Sequence, residues 1–179
     1  MDIISKLFGL FEMFGGRGYG EDVTQCEHAL QVAHFAREDG ASDTLVAAGL
    51  LHDVGQFLDG AGDAADRDGR DARHEHSGAA FLEQYFPEAV VAPIRLHVAA
   101  KRYLCAIEPA YHATLSAASA LSLRLQGGPF DAGEAAAFAR LPFAQDAIRL
   151  RRYDDLGKQT DFDVSPLESY RPLLGKLLL

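Results

Sequence analysis

Four histidines and two aspartates, met along the chain in the order His28, His52-Asp53, His74, His97 and Asp154, are the side chains best suited to chemistry. An adjacent His-Asp pair brings an imidazole nitrogen and a carboxylate to one small volume. That pairing suits a divalent metal, because the carboxylate can bridge two ions while the imidazole fixes one. A lone His-Asp dipeptide more often caps a helix end. Here further histidines lie on both sides of it, each in a different predicted helix or loop, and the ordered set points to a dinuclear metal site. His97 follows the apolar run VVAPIRLH. A buried histidine there needs a partner, which a metal supplies, a satisfied core histidine being the alternative. His76 competes with His74 across Glu75, and Asp155 competes with Asp154. His34 lies six residues after His28 and so on another helical face, and His112 has no motif around it.

Elements must converge on one volume to bring these residues together. Thr24 and Glu27 form a T-x-x-E capping box, which predicts a helix carrying His28 in its first turn and ending at Gly40. Ser42 caps a second helix that ends near His52-Asp53, with Gly55 as its C-terminal breaker. Residues 58–73 lack periodicity and read as a loop whose acidic spacing does not match a calcium-binding hand. A helix is predicted from about Ser77 to Tyr85, and Pro87-Glu88 start another that carries His97, Lys101 and Arg102 before Pro109. The stretch HATLSAASALSLRLQ is helical by composition and ends at Gly127-Gly128; two more helices fit Asp131–Arg140 and Pro142–Asp155. Ser165-Pro166-Leu167-Glu168 is a second capping box, opening a helix over 165–179. At the N-terminus, a core-covering helix over 1–14 leads into the glycine-rich 15–22, a mobile connector without phosphate-loop spacing. With no alternating strand pattern, the expected fold class is all-α, one compact domain over 1–179 with its metal-binding core in 24–158.

A chain of 179 residues can bury a sizeable core without staples. Its net charge of -9 argues against nucleic acid or an anionic membrane as partner, though a local basic cluster could still hold a small anion. Cys26 and Cys105 form neither a zinc pattern nor a disulfide framework. With no signal peptide and no spanning segment visible, the expected setting is a reducing cytoplasm.

The order H…HD…H…H…D, together with EDVTQCEHALQVA, AGLLHDVGQF, HEHSGAAFLEQYF, LHVAAKRYLCA, LSAASALSLRLQGGPF and LRRYDDLGK, resembles the phosphonate-cleaving oxygenases of the HD-domain superfamily. These are related more distantly to myo-inositol oxygenase. HVAAKRYL and LQGG are much more specific than the His-Asp pair alone. The resemblance implies a helical HD bundle around two iron ions in a mixed-valent Fe(II)/Fe(III) state. Carried over position by position, the ligands would be His28, His52, Asp53, His74, His97 and Asp154, with Asp53 bridging; His74 is preferred to His76 because it opens the motif HEHSG. Lys101, one helical turn after His97, and Arg151, one turn before Asp154, would meet the phosphonate of a small substrate. Ser119 matches the phosphonate-contacting serine, with Ser116 and Ser122 as competitors. Gln56 stands where close relatives carry a histidine near the substrate, so the substituent could be trimethylammonium, a primary amine or no amine. Relatives also place a Tyr and a Glu ahead of the first ligand helix as a lid; Glu21 matches the Glu, while Tyr19 is displaced by one residue. The implied reaction uses O2 to cleave a carbon–phosphorus bond of a 1-hydroxyphosphonate, releasing phosphate and a carboxylic acid. The same ligand set also permits hydrolysis of a phosphate ester. Oligomeric state is silent in the sequence.

Overall fold

A computed structural model describes residues 2–58 and 73–179. Its order is α1 Ile3–Phe14, β1 Gly18–Glu21, β2 Val23–Thr24, α2 Gln25–Glu38, α3 Asp43–Leu51, α4 Val54–Leu58, α5 His74–Leu82, α6 Glu88–Ile107, α7 Pro109–Ala113, α8 Ala117–Leu125, α9 Ala132–Phe138, α10 Ala144–Leu156, a 3₁₀ turn Leu167–Tyr170, and α11 Arg171–Lys176. Residues 59–72, on which most of the expected 58–73 loop falls, lie outside the described residues.

The arrangement follows from where apolar side chains run without a break. Leu45 to Leu51 of α3 are all buried, so this helix has no solvent face and must be wrapped by others. It packs on α2 and α6, while α10 packs across α6 and α2 and α5 fills the space between α4 and α6. Val90, Val91 and Ile94 of α6, Leu150 of α10, and Leu7, Phe8 and Phe11 of α1 complete the main core. The fold class is all-α, as read from the sequence.

Several local expectations are corrected. Gly55 does not break a helix; it lies inside α4. A Cβ there would sit 2.0 Å from the His74 carbonyl oxygen, so the residue is glycine because α4 and α5 meet backbone to backbone. The helix expected from Ser77 begins at His74. The stretch from His112 to Gln126 is not one helix, because Ser116 accepts a hydrogen bond from the Ser119 amide and starts α8 afresh after α7. Ser165 forms no cap; Glu168 instead binds Arg171 through two hydrogen bonds, and the chain begins a 3₁₀ turn. Residues 15–22 are more ordered than a mobile connector. Strands of four and two residues, too short to show alternation, pair antiparallel there, and the Cys26 and Gln25 amides bond back to the Gly15 and Arg17 carbonyls.

Candidate metal centre

Four elements and one turn each deliver one or two side chains to a single buried volume. The Thr24–Glu27 capping box forms as read and fixes the start of α2, which turns His28 inward to complete burial. His52 and Asp53 occupy the turn between α3 and α4, His74 opens α5, His97 lies in the middle of α6, and Asp154 is near the end of α10. Their donor atoms form two groups of three, His28, His52 and Asp154 on one side and Asp53, His74 and His97 on the other; each group is compact enough to hold a metal ion. The Asp53 carboxylate joins them. Its Oδ2 lies 3.4 Å from His52 Nε2 and 3.8 Å from His28 Nε2, while Oδ1 lies 3.1 Å from His74 Nε2 and 3.9 Å from His97 Nε2.

Hydrogen bonding behind the rings decides what these nitrogens can do. His28 Nδ1 donates to the Gly157 carbonyl at 2.8 Å, His52 Nδ1 to Gly49 at 2.8 Å, and His97 Nδ1 to Ile94 at 2.7 Å. A carbonyl only accepts, so each of these Nδ1 atoms carries a proton, which leaves Nε2 as the atom each ring offers inward to a metal. The Nε2 atoms of His28 and His52 face each other at 3.2 Å, and as metal ligands both would turn lone pairs into that space. The buried Asp53 Oδ2 beside them has no hydrogen-bond partner among the described residues. Lone pairs and a carboxylate oxygen converging in a dry interior repel one another unless a cation sits between them, so the donor set fits a metal.

The electrostatics agree. Burial pushes His28 down to about 4 and His97 down to about 3, so both are neutral at pH 7, as a ligand must be. Burial opposes charge on His74 too, but the Asp53 carboxylate outweighs it and raises this ring to about 9. The field of Asp53 thus favours a positive charge at this position. Asp154 stays ionised well below the usual carboxylate range, because Arg151 and Lys158 outweigh the penalty of burial.

Next to the donors lies a cluster of cations, joined to them through Arg151, which bonds Asp154. Lys101, only 3% exposed, donates from Nζ to Ser122 Oγ at 2.7 Å. Lys158 donates to Ser119 Oγ at 2.9 Å, and Arg151 Nη2 donates to the same oxygen at 3.2 Å. Ser119 therefore has both lone pairs engaged by cations, which leaves its proton to be donated elsewhere. Ser116, in contrast, is spent on capping α8. Burial, then repulsion from Arg151, lowers Lys101 to about 7.

The remaining sequence candidates divide. His76 points away, its side chain 57% exposed, and His34 packs against Phe35 and Phe162. Asp155 faces Arg151 and Tyr111 rather than the donor groups. Tyr19 stacks on the His28 ring at 3.7 Å between centroids, and its hydroxyl donates to Asp154 Oδ1 at 3.3 Å. Glu21 belongs to β1, but its side chain lies outside the described residues. Gln56, one turn after Asp53, accepts a hydrogen bond from Gln25 Nε2 at 2.9 Å. Lys158 and Tyr111 were not singled out from the sequence. Lys158 lies past the end of α10, so helical spacing from Asp154 gave no signal for it; Tyr111 carried none either, because only the folded chain brings α7 against α10.

A profile of the HD domain matches residues 26–122, the stretch holding five of the six donors. The chain belongs to the HD-domain family, in its phosphonate dioxygenase branch. It is 40% identical, over 99% of its own length and 91% of the relative's, to the 1-hydroxy-2-(trimethylamino)ethylphosphonate dioxygenase (glycine-betaine-forming) of Leisingera caerulea. It is 43% identical to the hydroxymethylphosphonate dioxygenase of Gimesia maris, over 93% of this chain and 84% of that one. An uncharacterized protein of Acanthamoeba polyphaga mimivirus is 33% identical over 98% of the chain and 81% of its own length.

Proposed function

We propose that this protein is a diiron oxygenase that uses O2 to cleave the carbon–phosphorus bond of a small 1-hydroxyphosphonate, giving phosphate and a carboxylic acid. The observation that carries the reading is the junction of two oppositely charged sites. The metal-donor set borders Lys101, Lys158 and Ser119, which suit an anion: Arg151 bonds both the donor Asp154 and Ser119. The names of the two curated relatives above supply the reaction class.

His28, His52 and Asp154 would hold one iron and His74 and His97 the other, with Asp53 bridging. An iron pair cycling through a mixed-valent Fe(II)/Fe(III) state supplies Lewis acidity toward the substrate's oxygens and the redox chemistry with O2. The chain's own groups place the substrate. The Lys101 and Lys158 ammonium groups balance a doubly charged phosphonate, and the Ser119 hydroxyl donates to one of its oxygens. Arg151, which touches Ser119, adds a third cation on that side, and Gln56 stands toward the substituent. Tyr19, stacked on His28 and bonded to Asp154, closes the first metal group against water, with Glu21 in the same strand as its partner in the lid. The overall reaction balances with one O2 per substrate and needs no other reductant: the hydroxyl-bearing carbon becomes a carboxylate and phosphorus exchanges its bond to carbon for one to oxygen. The setting is a reducing cytoplasm, in keeping with the free Cys26 and Cys105.

The test is a panel of substrates given to iron-loaded protein in air: hydroxymethylphosphonate, its 2-amino-ethyl and 2-trimethylammonio-ethyl homologues, and simple phosphate monoesters. Phosphate release from at least one hydroxyphosphonate and from no ester is the expected result. Release from the esters alone would replace the proposal with a phosphohydrolase.

A further inference from the structure

Among the described residues Arg151 is the most heavily bonded side chain of the site, yet four of its five contacts there are made to groups other than Ser119. Its Nη1 donates to Asp154 Oδ2 at 2.6 Å, Nε donates to Tyr111 Oη at 2.9 Å and to Asp155 Oδ2 at 3.2 Å, and Nη2 donates to Asp155 Oδ1 as well as to Ser119 Oγ. Arg151 is 4% exposed, and its guanidinium lies between two carboxylates that hold it in place. A planar fork of five donors prefers to meet one carboxylate with two parallel bonds. Arg151 makes that pairing with Asp155, through Nε and Nη2, and only a single-point contact with Asp154.

Resting on the reading above, we propose that Asp155 and Tyr111 are positioning residues: they clamp the flank of Arg151 so that it can neither chelate Asp154 nor leave Ser119. Without the clamp, the fork is free to turn and take both oxygens of Asp154. Asp154 Oδ1 is the oxygen on the side of His28, 3.5 Å from Nε2, and its capture by Arg151 would remove a donor from the first metal group. The same turn would pull Nη2 from Ser119 Oγ and return a lone pair to that hydroxyl, which would no longer be committed to donating. Tyr111 locks the clamp. Its hydroxyl accepts from Arg151 Nε while donating to Asp155 Oδ2 at 2.5 Å, so it fixes both partners at once. Glu108, at the start of the same turn, binds Arg152 through both carboxylate oxygens and ties α7 to α10. One clamp therefore sets a metal donor and an anion-binding hydroxyl that lie on different helices.

The experiment compares iron-loaded wild type with Asp155→Asn, Asp155→Glu and Tyr111→Phe. It measures iron retained against a graded chelator, equilibrium binding of hydroxymethylphosphonate without oxygen, KM and kcat separately, and the melting temperature of the metal-free proteins. Loss of such an outer partner changes metal affinity by about ten- to a hundredfold, and Asp155→Asn should release one of the two irons at correspondingly lower chelator. It should also bind hydroxymethylphosphonate about tenfold more weakly, with the change in KM exceeding that in kcat. Tyr111→Phe should show a smaller effect of the same pattern, and Asp155→Glu, which keeps the carboxylate, should recover part of both losses. Wild-type iron retention in Asp155→Asn overturns the proposal, as does a loss in all three variants that follows their melting temperatures. If wild type itself does not bind hydroxymethylphosphonate, the proposed function is what fails, and the chelator comparison alone decides the clamp.

Discussion

At the scale of single residues, Lys101 carries the most directly measurable consequence. It is buried, its one hydrogen-bond partner among the described residues is a neutral serine oxygen, and burial together with Arg151 brings it to about 7. Below pH 7 the ammonium is present and attracts the phosphonate; above it the group is neutral and the attraction fades. Substrate affinity should therefore fall as pH rises through about 7 and continue to fall toward 9. Lys101→Arg, charged throughout, should flatten that profile even if its absolute affinity is lower. Lys101→Ala should weaken binding by roughly 2–4 kcal/mol, the range for truncating one partner of a buried charge pair, with iron content unchanged. A flat wild-type profile from pH 6 to 9 would remove Lys101 from the anion pocket. Side chains of this kind were legible in the sequence because each stands one helical turn from a donor: Lys101 after His97 and Arg151 before Asp154. The resemblance to known oxygenases chose His74 over His76, and the structure places His74 at the donors with His76 turned outward. Asp155, four residues after Arg151 on the same predicted helix, was equally legible as its partner, but from the sequence it stood only as a rival to Asp154.

At the scale of elements, glycines record how closely the helices must approach to present the donors. A Cβ on Gly55 would meet the His74 carbonyl at 2.0 Å, and one on Gly157 would meet Val32 Cγ2 at 2.6 Å and His28 Nδ1 at 3.3 Å. Gly157 also supplies the carbonyl that orients His28, and the chain beyond it is held by the Gln31 side chain, which bonds the Gln159 backbone amide and carbonyl. Gly157→Ala should cost roughly 1–3 kcal/mol of stability, the range for overpacking, and should weaken iron binding in the His28 group. Gly55→Ala should cost more, because backbone on α5 rather than a side-chain tip stands in the way. Denaturant unfolding of the metal-free variants, with iron titration of each, checks both; a Gly157→Ala protein that binds iron as wild type does would show that the carbonyl is not needed where it lies. Capping signals at Thr24 and Ser42 gave two helix starts, since a side-chain cap is a contact within four residues. Gly55 was misread as a breaker because its role is a contact with α5, about twenty residues further on, which only tertiary packing reveals.

At the scale of the whole molecule, the sequence pattern was sufficient for the all-α class and for convergence of the donors, but not for the hairpin of β1 and β2, whose stability comes from packing on α2. The donor cluster makes folding and metal binding one problem. Four rings and two carboxylates gather around one volume in the folded chain only, and a metal that binds them there stabilises the fold, so the metal-free protein should be markedly less stable. At free metal a thousandfold above its dissociation constant the linkage is about 4 kcal/mol, which for a chain of this size lowers the melting temperature on the order of 10 °C when iron is removed. Calorimetry before and after chelation measures this; equal melting temperatures would mean that the donors do not bind metal in the native state.

The claim on which the rest depends is that the buried His/Asp cluster performs oxidation rather than hydrolysis. The most direct test follows oxygen uptake and phosphate release together, in one vessel, as iron-loaded protein consumes its best hydroxyphosphonate. One O2 should disappear for each phosphate formed, phosphate release should cease when oxygen is removed, and His52→Ala and Asp53→Ala should abolish both. Phosphate released at an unchanged rate without oxygen would contradict the account.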